Sequence, residues 1–244
     1  LKGDAAVGYY GAAYRYIDGL NIIPSYFTVA LFPMLSRYAE SSKEEFMRVY
    51  NTALRLLILA SMPIAVLFTF TARELILILG GSEYLPHSMI ALQLLIWFFP
   101  FSCINSVTQY VLIAINQQRF LTKAFLIGVA FNIAGNLLLI PRYSYKGASV
   151  MTVFSELALL APFYYCVRKN LGPIPWGELF WRPVLASGAM ALAFWVFQKV
   201  NIVLAISVSL IIYLSLLLAL GAFSREELEK VVGGFRRLAG ARRA

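Results

Sequence analysis

Long apolar runs broken by short charged patches set the pattern of this chain. Seven of them approach the ~20 residues that carry an α-helix across hydrocarbon, where internal hydrogen bonding must satisfy every backbone group. The first covers 14–35 and contains Pro24 and Pro33; the second, 52–71, carries Arg55 and Pro63. The third, 88–115, has Pro100 in its middle, and the fourth, 123–140, stops at Pro141. The fifth, 148–167, holds Glu156 and Pro162. The sixth, 184–200, and the seventh, 202–223, meet at the short turn 199–201 and predict a helical hairpin. The prolines at 24, 63, 100 and 162 each remove a helix hydrogen bond and predict bends. Beyond the last run, Ser224 and two acids open a polar segment in which Leu228, Val231, Val232, Phe235 and Leu238 recur at helical spacing. That pattern predicts a capped, basic amphipathic helix over 224–243, lying on an anionic leaflet.

Composition makes lipid the natural solvent for these runs. The chain has 244 residues, of which 60% are hydrophobic and 14% charged, with a mean hydropathy of +0.73. Soluble domains average about 45–50% apolar and about 25% charged, and one core cannot hide so large an excess. The fold class expected is therefore all-α, a polytopic transmembrane bundle. The net charge of +9 does not call for nucleic acid, because the aromatics lie within the apolar runs and at their ends. A membrane-interface belt accounts for them. Cys103 and Cys166 fall in apolar segments and read as small apolar side chains. His87 is the single histidine, which argues against a zinc site or a His-based triad.

Loop charge predicts the orientation. One side collects Arg37, Lys43, Arg48, Arg119, Lys123, Arg168, Lys169 and Arg182, and the tail adds Arg225, Lys230, Arg236, Arg237, Arg242 and Arg243. The other side holds only Lys2, Arg15, Arg73, Arg142, Lys146 and Lys199, with Arg55 inside a run. Positive charge marks the cytoplasmic side, so the N-terminus is expected outside and the tail inside, as an odd number of spans requires.

Polar residues at membrane depth carry the functional information, because placing them there is costly. Glu156 lies near the middle of the fifth run beside Ser155 and Thr152. It reads either as a carboxylate lining a polar cavity, where it binds a cation or proton or meets a sugar hydroxyl, or as a packing-level hydrogen-bond partner or the counter-charge of an internal cation such as Arg55. Asp18 stands three residues from Arg15, on one helix face. The two can pair locally, or Arg15 can offer its fork of donors to a phosphate or sugar. Arg55 can snorkel to the interface or face a cavity that accepts an anionic headgroup. Asn132 and Asn136, four apart, read as helix–helix glue or cavity lining, and Asn105, Ser106 and Gln109 form a similar stripe on the third run. No phosphate-binding loop, dinucleotide fingerprint, nucleophile elbow or metal signature is present, so no enzyme and no cofactor are expected beyond a coupling H+ or Na+.

Particular motifs carry a family resemblance. Val7-Gly-Tyr-Tyr-Gly-Ala-Ala-Tyr-Arg-Tyr16 leads to Ile23-Pro24 and Leu31-Phe-Pro-Met-Leu-Ser-Arg37. Met62-Pro63, Leu77-Ile-Leu-Gly-Gly81 with Tyr84, the helix of Asn132 and Asn136 ending at Ile140-Pro141, and Lys146-Gly-Ala-Ser-Val-Met-Thr152 with Ser155-Glu156 follow in order. Over about residues 5–170 this series resembles the polysaccharide and lipid-linked oligosaccharide flippases, O-antigen flippase-like, of the multidrug/oligosaccharidyl-lipid/polysaccharide exporter superfamily. The resemblance implies a C-terminal lobe over 1–170, a further two-helix hairpin over 171–223 and a cytoplasmic tail over 224–244. The sequence opens on Leu1 rather than Met, and the reading is of a portion whose N-terminal lobe is missing.

The implied activity is translocation of a polyprenyl-diphosphate sugar from the cytoplasmic to the outer face of the plasma membrane, for polysaccharide biosynthesis. Arg15 and Arg55, with Asn105, Gln109, Asn132 and Asn136, are the implied cavity residues, and Asp18 and Glu156 the implied ion-coupling pair. Membrane lipid, the lipid-linked oligosaccharide, the missing lobe and polysaccharide assembly proteins are the expected partners, without nucleic acid. A multidrug extruder of the same superfamily is the alternative, and a membrane glycan polymerase or transferase a more distant one.

Overall fold

The computed structural model describes residues 3–222; Phe223 and the amphipathic helix expected over 224–243 lie outside the described residues. Helix α1 runs Asp4–Ser41, α2 Lys43–Leu79, α3 His87–Leu95, α4 Phe98–Ala114, α5 Gln118–Asn170, α6 Trp176–Phe197 and α7 Ile202–Ala219, with a 3₁₀ turn at Ser82–Tyr84. No strand occurs among the described residues. The chain is an all-α polytopic membrane bundle, with six stretches long and apolar enough to cross a bilayer, α3 and α4 counting together.

Six stretches make seven crossings, because α5 is two limbs. Its 53 residues would span about 80 Å as one rod, far beyond a ~30 Å hydrocarbon core. Ser144 breaks it, with φ 53° and ψ −137°, and the second limb returns along the first. Asn132 Nδ2 donates to Ser155 Oγ across the limbs at 2.7 Å. A Cβ on Gly128 would lie 2.6 Å from Leu159, one on Gly135 2.1 Å from Met151, and one on Gly147 2.7 Å from the Leu139 carbonyl oxygen. Absent side chains at these three positions let the limbs touch.

One proline reading shifts. Pro141 does not end the fourth run, since helical backbone continues to the break at Ser144. Pro100 marks the expected bend: the third run divides at Ile96–Trp97, three to four residues before it, where its ring removes the helix hydrogen bond to the Ile96 carbonyl. Pro24, Pro33, Pro63 and Pro162 lie inside helices. Helices α1 and α2 also outrun their apolar cores, meeting at Ser42, whose hydroxyl caps α2 by accepting the Glu45 N–H at 3.3 Å.

Residues 1–179 form one compact unit and 180–244 another. In the first, α4 packs against α1, α2 and α5. Its core gathers Ile17 and Leu35 of α1, Phe46, Tyr50, Leu54 and Ile58 of α2, and Leu92, Leu95, Phe99 and Ile104 of α3 and α4, all buried. Tyr50 and Thr108 join their hydroxyls at 2.8 Å inside it. Cys103 and Cys166 are buried and free. The first limb of α5 instead exposes Leu126, Ile127, Leu137 and Leu138, a surface suited to lipid. In the second unit, α6 and α7 form the expected hairpin. Asn201 Oδ1 caps α7 by accepting the N–H groups of Val203 and Leu204, and Arg182 Nη1 donates to the Gly221 carbonyl at 2.9 Å. Arg182 is therefore helical, not a loop residue.

Two substitutions test the α5 turn by thermal unfolding in detergent. Ser144→Gly, which suits φ > 0, is expected to stabilise by about 1 kcal/mol. Gly147→Leu places carbon against a backbone oxygen that cannot rotate away and is expected to cost at least about 1–3 kcal/mol.

Candidate functional site

Glu156 is the organising residue of a polar pocket inside the first unit. It projects from the second limb of α5 toward α4, where Asn105 Nδ2 donates both to its carbonyl, at 2.9 Å, and to its Oε2, at 2.6 Å. The carbonyl can only accept, so it fixes which way the Asn105 amide points. Asn105 is buried, and its Oδ1 has no hydrogen-bond partner. Around this pair lies a cavity of about 250 Å³ lined by Asn21, Ser25, Ser102, Ser106 and Gln109 as well. Ser102 Oγ donates to Asn21 Oδ1 at 3.0 Å, and Ser25 Oγ to the Asn21 carbonyl at 2.7 Å. Among the described residues Glu156 makes no ion pair, and the pocket around it mixes amides and hydroxyls with the apolar side chains of Phe125, Leu159 and Phe163.

The neighbouring turns of α1 extend the polar track. Tyr10 Oη and Thr152 Oγ1 share a hydrogen bond of 3.0 Å. Tyr14 lies within electrostatic reach of both Asp18 and Glu156 and stacks on Tyr10 at 5.5 Å. Asp18 is exposed, one turn from Asn21 along α1.

A second cleft, of about 310 Å³, holds Arg15. Gly8, Gly11 and Ala12 form its α1 wall, while Ile76, Gly80 and Tyr84 close the other side. Tyr16 ties α1 to the end of α2 by donating to the Leu75 carbonyl. Arg15 is exposed, and among the described residues no ion pair joins it to Asp18, although their spacing permits one.

The structure thus brings Asn105, Gln109 and Glu156 into one pocket and leaves the other sequence-expected residues elsewhere. Arg15 has its own cleft. Arg55 is half-buried on α2. Asn132 and Asn136 serve the α5 hairpin: Asn136 Nδ2 donates to Asn132 Oδ1 at 2.9 Å, and Asn132 in turn reaches Ser155. The sequence reading missed Asn21, Ser25 and Ser102. A signal was present, because Ser102 continues the stripe of Asn105, Ser106 and Gln109 at helical period, and Asn21 and Ser25 stand four apart.

Replacing Asn105 by Leu removes the donor that two Glu156 oxygens share. The expected loss is about 1–3 kcal/mol, read as a lower unfolding temperature. Asn132→Val, which cuts both the bond to Ser155 and the one from Asn136, is expected to cost about 1–2 kcal/mol.

Comparison with known proteins fits this architecture. Residues 1–89 match the family model described as polysaccharide biosynthesis protein. An uncharacterized membrane protein of Methanocaldococcus jannaschii, MJ1068, is 31% identical over 172 residues, covering 62% of this chain and 34% of the relative. Among solved structures, the lipid II flippase MurJ in an inward closed conformation superposes with a TM-score of 0.75 at 16% identity, covering 88% of this chain and 47% of that one. The chain therefore spans about a third of the curated relative and about half of the flippase. The family match lies on the first third of the chain, and the fold shared with the flippase extends over most of it.

Proposed function

We propose that this chain is the C-terminal portion of a flippase that carries a lipid-linked oligosaccharide, a sugar on a polyprenyl diphosphate, from the cytoplasmic to the outer face of the plasma membrane. The observation that carries the reading is that a polysaccharide-biosynthesis match falls on α1 and α2 of a chain folded like a lipid flippase. The missing N-terminal lobe completes the transport path. The orientation follows the positive charge, with the α1 N-terminus outside and the chain's basic end in the cytoplasm.

Arg15 is the residue proposed to meet the diphosphate. Its guanidinium stays charged at any physiological pH and offers paired donors to phosphate oxygens. The glycines and alanine beside it leave room in the cleft for a headgroup. Arg55 is a second proposed anion contact, and Asp18 and Glu156 are the proposed ion-coupling carboxylates.

Deleting the parent gene in its host is expected to trap lipid-linked oligosaccharide on the cytoplasmic face, scored with a sugar-specific probe before and after permeabilisation. Wild type is expected to restore surface glycan. Arg15→Ala is expected to export about tenfold less or worse, the value of one charge-assisted phosphate contact, with Arg15→Lys intermediate. Normal surface glycan in the deletion strain would sink this reading and favour the multidrug extruder.

A further inference from the structure

We infer that the outward flank of the α5 hairpin, where its two limbs begin and end, is a docking site for an anionic phospholipid whose phosphate meets Lys123, Arg168 and Lys169. Two contacts fix how the limbs adjoin at this end. Phe120 of the first limb meets Tyr165 of the second with ring centroids 6.5 Å apart, and Cys166 Sγ donates to Gln117 Oε1 at 3.9 Å. Helical period then tells which residues share the flank of these rings. On the first limb Lys123, Ile127 and Phe131 follow Phe120. On the second, Ala161 precedes Tyr165 by one turn, and Arg168 and Lys169 follow it by one. Phe120 is half-buried and all the others are exposed. The opposite flank faces inward: Phe125 meets Phe163 at 5.7 Å, and both line the Glu156 pocket. The outward flank is therefore separate from the Glu156 pocket, and Arg15 lines its own cleft.

Charge complementarity names the occupant. All of α5 carries a single acid, Glu156, and it lies on the inward flank. Among the described residues no ion pair neutralises Lys123, Arg168 or Lys169. Arg168 and Lys169 suit the negative end of a helix dipole, but Arg119 in the opening turn of the first limb, with no acid beside it, does not. An anion at this end answers all of these charges together. The apolar length beyond them requires that the anion bring hydrocarbon with it. Phosphate oxygens meet the cations, the rings of Phe120 and Tyr165 suit the interfacial level of the lipid, and its chains lie along Ile127 and Phe131. The small side chain of Ala161 leaves them room. Loop charge assigns this end of the bundle to the cytoplasm, whose leaflet carries negative lipid.

The test reads lipid retention without transport, so its failure is separable from failure of the flippase reading. The purified chain in detergent is titrated with phosphatidylglycerol or with phosphatidylcholine of identical chains, and bound lipid is counted by native mass spectrometry. Phosphatidylglycerol is expected to bind saturably and more tightly. Lys123→Gln combined with Lys169→Gln is expected to weaken it by about thirtyfold, the weight of two cations beside a phosphate. Ala161→Trp, which fills the space between the limbs with every charge in place, is expected to weaken it as well. Arg37→Gln combined with Lys43→Gln removes the same charge at the α1–α2 junction and is expected to leave retention as in wild type. Equal retention of the two lipids, or an equal loss in the junction variant, would overturn the site. So would displacement by inorganic phosphate alone, or tighter retention of a polyprenyl diphosphate, which would make this flank part of the substrate path.

Discussion

Hydrocarbon offers nothing to a polar group that loses its partner, and this one constraint explains both the helices and the polar contacts between them. Along the apolar stretches most hydroxyls are spent on the helix that carries them. Thr28 bonds the carbonyl of Pro24, Thr69 that of Ala65, Thr71 that of Leu67, Thr108 that of Ile104, Thr152 that of Ala148 and Ser155 that of Met151. Other polar side chains leave their own helix, among them Tyr50 to Thr108, Ser102 to Asn21, Asn105 to Glu156, Asn132 to Ser155 and Tyr10 to Thr152. They join α2 to α4, α1 to α4, α4 to α5, limb to limb, and α1 to α5. Apolar packing supplies the bulk of the contact area, and these bonds fix which faces meet.

The same physics decides what the sequence could disclose. Hydropathy marked every crossing, because lipid demands long apolar runs and the chain supplies them. It also marked the α6–α7 hairpin, since 199–201 is too short for anything else. Helix ends were less legible. Charged residues from Arg37 to Arg48 read as loop, yet their backbone is helical almost throughout, because helix propensity persists after apolar character stops. Pro100, by contrast, read as a bend, and the break at Ile96–Trp97 falls three to four residues before it, where its ring removes a helix hydrogen bond. The polar pocket was half visible. Glu156 and Asn105 each stood out as polar residues in apolar runs, but they are 51 positions apart, and periodicity along one helix cannot report its partner.

The two clefts segregate charge by sign. Arg15 lines one face of α1 together with Gly8, Gly11 and Ala12, and Asn21 and Ser25 line another a turn or two along. A single helix therefore separates the guanidinium from the Glu156 carboxylate, and neither neutralises the other. Had they paired, each would have lost the capacity to attract a mobile counter-ion.

Ser144 reverses the chain of α5 with scarcely any connecting loop. A longer linker would give the two limbs slack to slide or part. Here the turn is a clasp: the limbs are bonded through Asn132 and Ser155 and pressed together at Gly128, Gly135 and Gly147. The hairpin must therefore travel as one stiff paddle. Whatever displacement moves the second limb carries the first with it, and the carboxylate of Glu156 rides about 18 Å from the clasp, twelve residues along the limb.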